Sequence, residues 1–256
     1  MEIKFLAFSD AHVEPGQCQD RFDWLGHLIV ELQPEYVVQL GDFATMLSLS
    51  HWDANKRLLV EGRRFQLDID AATQAVTRLF APLKAFQEKK KSWKEKIYRP
   101  KIVWCEGNHE QWIQRYLEQR TEMEGHIKPL HHYLEPHLEK ISKDITFVDY
   151  KDFIIIDGVA FTHCPIAANA RPISGKYVSE KALDLFSCHI VFGHTHRFLH
   201  THRYLHGHGL KQSVNSGCFF DVVPQYAKGA ANEYFRTVVG ISPREDGLLN
   251  IITMRW

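Results

Sequence analysis

Five apolar stretches of this 256-residue chain each run into side chains of the metal-ligand type. Residues 3–8 lead into Asp10-Ala11-His12, 36–40 into Gly41-Asp42, 102–105 into Gly107-Asn108-His109-Glu110, 159–162 into His163, and 190–192 into Gly193-His194-Thr195-His196. A short apolar run rich in β-branched residues reads as a strand buried on both faces, and open α/β sheets collect ligand groups at the carboxyl ends of such strands. One polar pair after one strand is ordinarily a turn or a helix cap. Five such endings, carrying carboxylate, imidazole and amide groups, point to one site assembled from distant segments, with donors enough for two adjacent cations.

Helical spacing recurs between these endings. After the first strand Asp20 reads as a helix cap, and Phe22, Leu25, Leu28, Ile29 and Leu32 repeat at helical intervals until Pro34 stops them, which gives a right-handed β-α-β opening. Residues 43–100 separate the second strand from the third. Within them Phe65, Ile69, Ala72, Val76, Leu79, Leu83 and Phe86 recur every three or four positions, so one long helix is expected, kinked or broken near Pro82. Because it leaves from the Asp42 loop, this segment reads as a largely helical insertion in a single domain over 1–256, placed as a lid or a wall for substrate. Trp112, Ile113, Tyr116 and Leu117 mark one apolar helix face. Farther on, 145–148, 153–156 and 159–162 read as strands, the last two joined by the hairpin signal Asp157-Gly158. Residues 198–205 and 210–215 flank a His-Gly-His-Gly turn, and 234–241 and 248–254 flank Glu245-Asp246-Gly247. Helix-linked strands first and hairpins later suit an α/β (α+β) chain with two sheets of different character.

The ordered set D-x-H, G-D, G-N-H-E, H and G-H-T-H, spanning Asp10 to His196, resembles the calcineurin-like metallophosphoesterase superfamily. The resemblance implies a four-layer α-β-β-α sandwich of two mixed sheets and a hydrolase of phosphate esters that uses two divalent cations bridged by a carboxylate and a hydroxide. Under it Asp42 bridges the cations. Asp10, His12 and His196 complete one shell; Asn108, His163 and His194 complete the other. His109 contacts the phosphate and protonates the leaving oxygen, held by a neighbouring carboxylate. Mn is the cation the resemblance favours, and a donor set without thiolate also admits Fe, Zn, Mg or Ni. One departure stands out: many members carry G-D-x-x-D followed by Arg-Gly, whereas this chain reads Gly41-Asp42-Phe43-Ala44-Thr45. That weakens the likeness to serine/threonine protein phosphatases and, with the H-x-H ending, leans toward a phosphodiesterase or nuclease acting on nucleotides or nucleic acid. A phosphomonoesterase, such as a nucleotidase or protein phosphatase, is the alternative. A non-catalytic scaffold is disfavoured because no ligand is missing.

Other features bound the partners. Asn108, His51, Arg171 and Arg197 are candidate substrate contacts. Glu110 is read only as favouring a helix N-terminus, and Asn215-Ser216-Gly217 as a loop closing the site through backbone shape. Lys89, Lys90, Lys91, Lys94 and Lys96, interleaved with Trp93 and Tyr98, resemble a nucleic-acid footprint, although a solvated helix end is the preferred reading. His200, His202, His206 and His208 share one parity and read as a polar face rather than an extra ion site. Cys164 is expected to face away from the metals. With 31 basic and 31 acidic side chains no global field steers nucleic acid or membrane. Five cysteines without a CxxC pair argue against a disulfide framework, and no run reaches the roughly 20 apolar residues of a membrane span. A cytoplasmic location is expected, and the oligomeric state stays open.

Overall fold

The computed structural model describes residues 2–53, 55–221 and 233–256. Its strands are β1 (Phe5–Phe8), β2 (Tyr36–Leu40), β3 (Lys101–Cys105), β4 (Ile145–Val148), β5 (Ile154–Ile156), β6 (Val159–Phe161), β7 (His189–Phe192), β8 (Phe198–Leu205), β9 (Gly209–Ser216), β10 (Val238–Pro243) and β11 (Leu249–Met254). Its α-helices are α1 (Asp20–Leu32), α2 (Arg57–Val60), α3 (Phe65–Ser92), α4 (Gln111–Gln119), α5 (Leu130–Leu138) and α6 (Val178–Leu185). One sheet runs β11-β10-β1-β2-β3-β4, with β1 to β4 parallel and β10 and β11 antiparallel; the other runs β5-β6-β7-β9-β8, with β6, β7 and β9 parallel between antiparallel edges.

Alternation along the strands separates the layers. On β1, Leu6 and Phe8 join the helical side, packing with Phe22, Leu25 and Ile29 of α1 and Val76 and Leu79 of α3. Phe5 and Ala7 point the other way, into the space between the sheets, where Val38, Val103, Phe161, Val191 and Val214 meet them. On the second sheet Ala160, Ile190 and Phe192 turn outward beneath Val178 and Ala182 of α6. Strands buried on both faces need apolar residues at every position, which is why they read as continuous runs. The result is the four-layer α-β-β-α sandwich of two mixed sheets. The parallel registers Phe8↔Gln39, Leu40↔Cys105 and Phe161↔Val191 bring the carboxyl ends of β1, β2 and β3, and of β6 and β7, level with one another.

Of the two readings for the long helix, kinked or broken near Pro82, the break does not occur: α3 continues through Pro82. A Cβ on Gly26 of α1 would lie 2.3 Å from the Leu79 carbonyl oxygen and 2.9 Å from the Pro82 ring, so the two helices touch at this point. Tertiary packing thus outweighs the lost N–H of the proline. The start of α3 belongs to the loop after Asp42, because Asp68 accepts the Ser48 backbone N–H at 3.0 Å. Its end lies beside the opposite rim, where Tyr98 donates to the Pro34 carbonyl at 2.6 Å and Gln87 to the Tyr98 carbonyl at 2.9 Å. A helix of 28 residues is about 40 Å long, so the lysine-rich end is remote from the strand ends that carry the ligand-type residues. The hairpin signal forms as expected, Asp157 and Gly158 both at positive φ (48° and 77°) between paired Ile156 and Val159. Among the described residues no helix is long and apolar enough to cross a membrane.

Candidate metal centre

The five strand endings converge. Three sets of side chains, Asp10 with His12 and His196, His12 with Asp42 and His109, and Asp42 with His163 and His194, have donor atoms within 4.8 Å of one another. Asp42 Oδ2 stands 3.5 Å from His163 Nε2 and 3.9 Å from the Nε2 atoms of both His12 and His109. Asp10 Oδ1 lies 3.2 Å from His196 Nε2, and His196 Nε2 is 3.2 Å from His12 Nε2. Asn108 Oδ1 is 3.1 Å from His163 Nε2. Asp42 therefore belongs to two of these metal-capable groups at once.

Tight backbone geometry makes this convergence. Asp10, His12, Asp42, His194 and His196 all have positive φ, between 45° and 73°, a region in which non-glycine residues carry strain and which clusters at functional sites. Glycine is required where two ligand loops meet. A Cβ on Gly107 would lie 2.1 Å from Asp42 Oδ1, and one on Gly193 2.6 Å from Asp10 Oδ2.

The donor chemistry fits cations. His163 Nδ1 donates to the Leu40 carbonyl at 2.8 Å, which leaves a bare Nε2 lone pair in the neutral ring. That lone pair faces Asn108 Oδ1 and Asp42 Oδ2, an arrangement of acceptors that repel one another until a positive charge sits among them. The buried Asp10 Oδ1, His12 Nδ1 and His194 Nδ1 have no hydrogen-bond partner among the described residues. Burial, and then the neighbouring imidazoles, push the His12 ring well below its ordinary 6.5 and the His194 ring down to about 4, so both offer lone pairs at neutral pH. Burial alone would raise the Asp42 carboxyl, yet His163, His109, His12 and the His109 backbone N–H hold it well below the usual carboxylate range. Asp10 is lowered in the same way, chiefly by His196 working against burial.

The sequence reading underestimated one residue and left out a backbone contact of another. Glu110 is buried, and its carboxylate accepts three backbone N–H groups: Asp42 at 3.0 Å, Ala44 at 3.0 Å and Gly107 at 2.8 Å. It ties the loop after β2 to the loop after β3 instead of merely complementing a helix end. Burial and the Asp42 charge push its carboxyl up to about 8, against the pull of the Ala44 and Gly107 N–H groups. Asp42 is the carboxylate beside His109, its Oδ2 3.9 Å from Nε2, and a backbone group supports the other side of the ring. His109 Nδ1 donates to the Thr45 backbone carbonyl at 2.9 Å, while the His109 backbone N–H donates to Asp42 Oδ1 at 2.9 Å. Thr45 occupies the place of the second aspartate of G-D-x-x-D, and it is the Thr45 backbone that meets the ring. That bond fixes the tautomer and turns Nε2 toward Asp42.

Arg21, Phe220 and Tyr234 were absent from the sequence reading. Arg21, buried on α1, donates to the Ala11 carbonyl at 3.1 Å and so braces the Asp10-Ala11-His12 loop. The rings of Phe220 and Tyr234 stand 5.1 and 4.9 Å from His196. No spacing rule reaches such residues, because tertiary folding alone brings them near. The loop at Asn215-Ser216-Gly217 does close on β1, through Ser216 Oγ to Ser9 Oγ at 2.7 Å and Ser9 Oγ to the Gly217 carbonyl at 3.0 Å.

The candidate substrate contacts separate. Asn108 lies in the centre, and His51 lies one ring beyond Trp112, 6.3 Å between centroids. Arg197 is engaged by Glu233. Arg171 is exposed on the loop after β6, its N–H bonded to Asn169 at 3.2 Å. Cys164 is buried and belongs to none of the metal-capable groups among the described residues. The His200 row likewise joins none of them, His200 pairing with Gln212 at 3.0 Å.

A family model described as calcineurin-like phosphoesterase matches residues 3–198. Among solved structures, nuclease MPE of Pseudomonas putida aligns with 14% identity over 93% of this chain and 84% of its own, at a TM-score of 0.39. A second aligns with 13% identity over 99% of both chains, at 0.42. No curated protein matches the chain. With three quarters of its length covered by the family model and its Asp and His groups gathered at the strand ends, the chain belongs to the calcineurin-like phosphoesterase family and is a metal-dependent phosphoesterase.

Proposed function

We propose that the protein hydrolyses phosphodiesters of nucleotides or nucleic acid at a centre for two divalent cations, Mn being the favoured ion. Asp10, His12 and His196 would hold one cation, Asn108, His163 and His194 the other, with Asp42 shared. The observation that carries this reading is the position of Asp42 Oδ2, which faces the Nε2 atoms of His12, His109 and His163 at 3.5–3.9 Å and belongs to two metal-capable groups at once. Bound there, cations would screen the nonbridging phosphate oxygens, acidify an attacking water and stabilise the departing alkoxide. The protein's own contribution is positional. Glu110 locks two ligand loops together, and the Leu40 and Thr45 carbonyls set the tautomers of His163 and His109.

His109 acts on the leaving oxygen. With Nδ1–H committed to Thr45, a proton on Nε2 is the one available to an ester oxygen beside Asp42. Residues 43–100 form the helical insertion of a single domain, and the part near Asp42, up to the start of α3, is its substrate wall. The lean to diesters rests on the G-D-F-A-T stretch and the H-x-H ending, which depart from the protein-phosphatase pattern. A direct test compares the Mn-loaded chain on an aryl phosphate and an aryl phosphodiester, alongside nucleotides and single- and double-stranded DNA. Faster turnover of the diester is expected. A preference for the monoester would replace this reading with a phosphomonoesterase, and no turnover with any cation would leave a scaffold.

A further inference from the structure

We propose that the cavity next to His109, walled by Leu49, His51, Trp112, Arg115, Tyr116 and Gln119, is a subsite that stacks a nucleobase of the substrate. The inference rests on the phosphoesterase reading of the neighbouring centre and names what that centre recognises. The cavity holds about 190 Å³. That is below the roughly 300–1,000 Å³ of sites that enclose a whole drug-sized ligand, and it suits one flat ring.

Its position follows from helical spacing. His109, Trp112, Tyr116 and Gln119 fall at intervals of three, four and three, so they follow one another along the same side of α4 and the turn that leads into it. The face that begins at the His109 ring therefore continues directly into the cavity. The Trp112 ring lies against His109, 4.3 Å between centroids at 35°, and the His51 ring meets Trp112 edge-on at 6.3 Å and 82°. The opposite wall, Leu49 and His51, belongs to the segment that follows Asp42 and supplies the Thr45 carbonyl to His109. Both walls are thus extensions of loops that build the centre.

The lining chemistry selects the ligand. Two π-systems, a half-buried tyrosine and an exposed histidine, stand beside an exposed guanidinium and an amide, with no carboxylate among the lining residues. Aromatic and guanidinium faces stack on bases whatever their sequence, and an amide can reach a base edge. A cavity on the neighbouring face of α4 makes the contrast. Its lining includes the carboxyl groups of Glu106, Glu110 and Asp149, with Glu106 paired to His131 at 2.8 Å, a set that offers a base no free stacking face comparable to Tyr116.

The test uses the full chain loaded with Mn and the variants Tyr116→Ala, Tyr116→Phe and Arg115→Ala. Substrates are a dinucleoside phosphate, its abasic analogue with tetrahydrofuran in place of the bases, and a short single strand with and without bases. Both members of each pair share the same leaving oxygen. In Tyr116→Ala the ratio of kcat/KM for the base-bearing over the abasic substrate should fall about tenfold, the scale of one lost stacking contact, and Tyr116→Phe should restore it. A fall for the dinucleotide means that the base of a single nucleotide fills the site; a fall confined to the strand means that a flanking base does. An unchanged ratio in both Tyr116→Ala and Arg115→Ala overturns the subsite while turnover stands. If the wild-type chain turns over none of the substrates, the phosphoesterase reading fails separately, and calorimetric titration with AMP still decides the subsite: binding weakened by Tyr116→Ala supports it, and equal or absent binding sinks it.

Discussion

At the scale of single residues, the centre depends on groups that need never touch a cation. Glu110 holds three backbone N–H groups, two of them from the glycine and aspartate of separate ligand loops. Glu110→Gln replaces one acceptor oxygen with an NH₂ that meets those donors head-on. Losing such support typically costs 10–100-fold in metal affinity, and about 1–3 kcal/mol for the unsatisfied groups. Mn titration and thermal melts of the variant should show both losses; unchanged affinity would return Glu110 to a helix-end role. In the proposed mechanism His109 serves proton transfer rather than metal holding, its Nδ1 being committed to a backbone carbonyl. His109→Ala should keep the metals and lose about 10² to 10⁴ of the activity on an alkyl ester. The loss should shrink on a nitrophenyl ester, whose leaving oxygen departs without a proton. Equal losses on both esters would make His109 a phosphate-positioning residue.

At the scale of elements, α3 shows how a motif can be local while its meaning is not. Lys89, Lys90 and Lys91 lie in its last turn with Lys94 just beyond, and part of that charge is spent on neighbours: Lys89 stacks over Trp93 at 4.6 Å, and Lys90 pairs with Glu95. The helix carries this cluster to the rim where β2 begins, about 40 Å from its own first turn. Neutralising Lys89, Lys90, Lys91 and Lys94 together should therefore leave kcat/KM on a short single strand within about twofold of wild type and leave its salt dependence unaltered. A flatter salt slope would show that the strand reaches the far end of the helix. The unbroken passage through Pro82 belongs to this scale as well. Helical periodicity predicted the element, while the close approach of α1 at Gly26 beside Pro82 came only with the fold.

At the scale of the whole molecule, two sheets deliver donors to one place, and that sets both stoichiometry and acid response. Elemental analysis of the Mn-reconstituted protein should find two cations per chain, none retained in Asp42→Ala and one retained in Asn108→Ala; a single cation in wild type would contradict the shared position of Asp42. In the metal-free chain the buried His194 and His12 rings should each contribute a loss of stability in acid. His194 titrates near 4 when folded against 6.5 when unfolded, so below pH 6.5 the unfolded chain takes up the proton first. Its contribution to stability is full above that pH and falls progressively toward pH 4, by up to roughly 3 kcal/mol for this ring and less where water reaches it. His12, shifted in the same direction by burial, adds to the loss. Glu110, pushed up to about 8 in the folded chain, works in the opposite direction over the same window. Melts of metal-free wild type at pH 7 and pH 4.5 are therefore compared with those of His194→Gln; an acid loss no smaller in the variant would show that the His194 ring is not buried neutral.

The two-sided apolar strands and the polar side chains that end them are statements about a few consecutive residues, so β1, β2, β3, β6 and β7 and the seven ligand-type residues could be read before any fold existed. The family pattern in Asp10 to His196 supplied the two-sheet architecture, since a strand's own residues do not say which strand lies beside it. The structure decided everything that depends on separation in space. It made Glu110 a clasp between two loops, gave His109 to the Thr45 carbonyl, set Arg21 behind Ala11, and brought Phe220 and Tyr234 against His196. It also placed the lysines of α3 at the rim opposite the ligands. Backbone carbonyls and N–H groups look alike at every position of a sequence, and they gain an identity only when the chain folds a particular side chain against them.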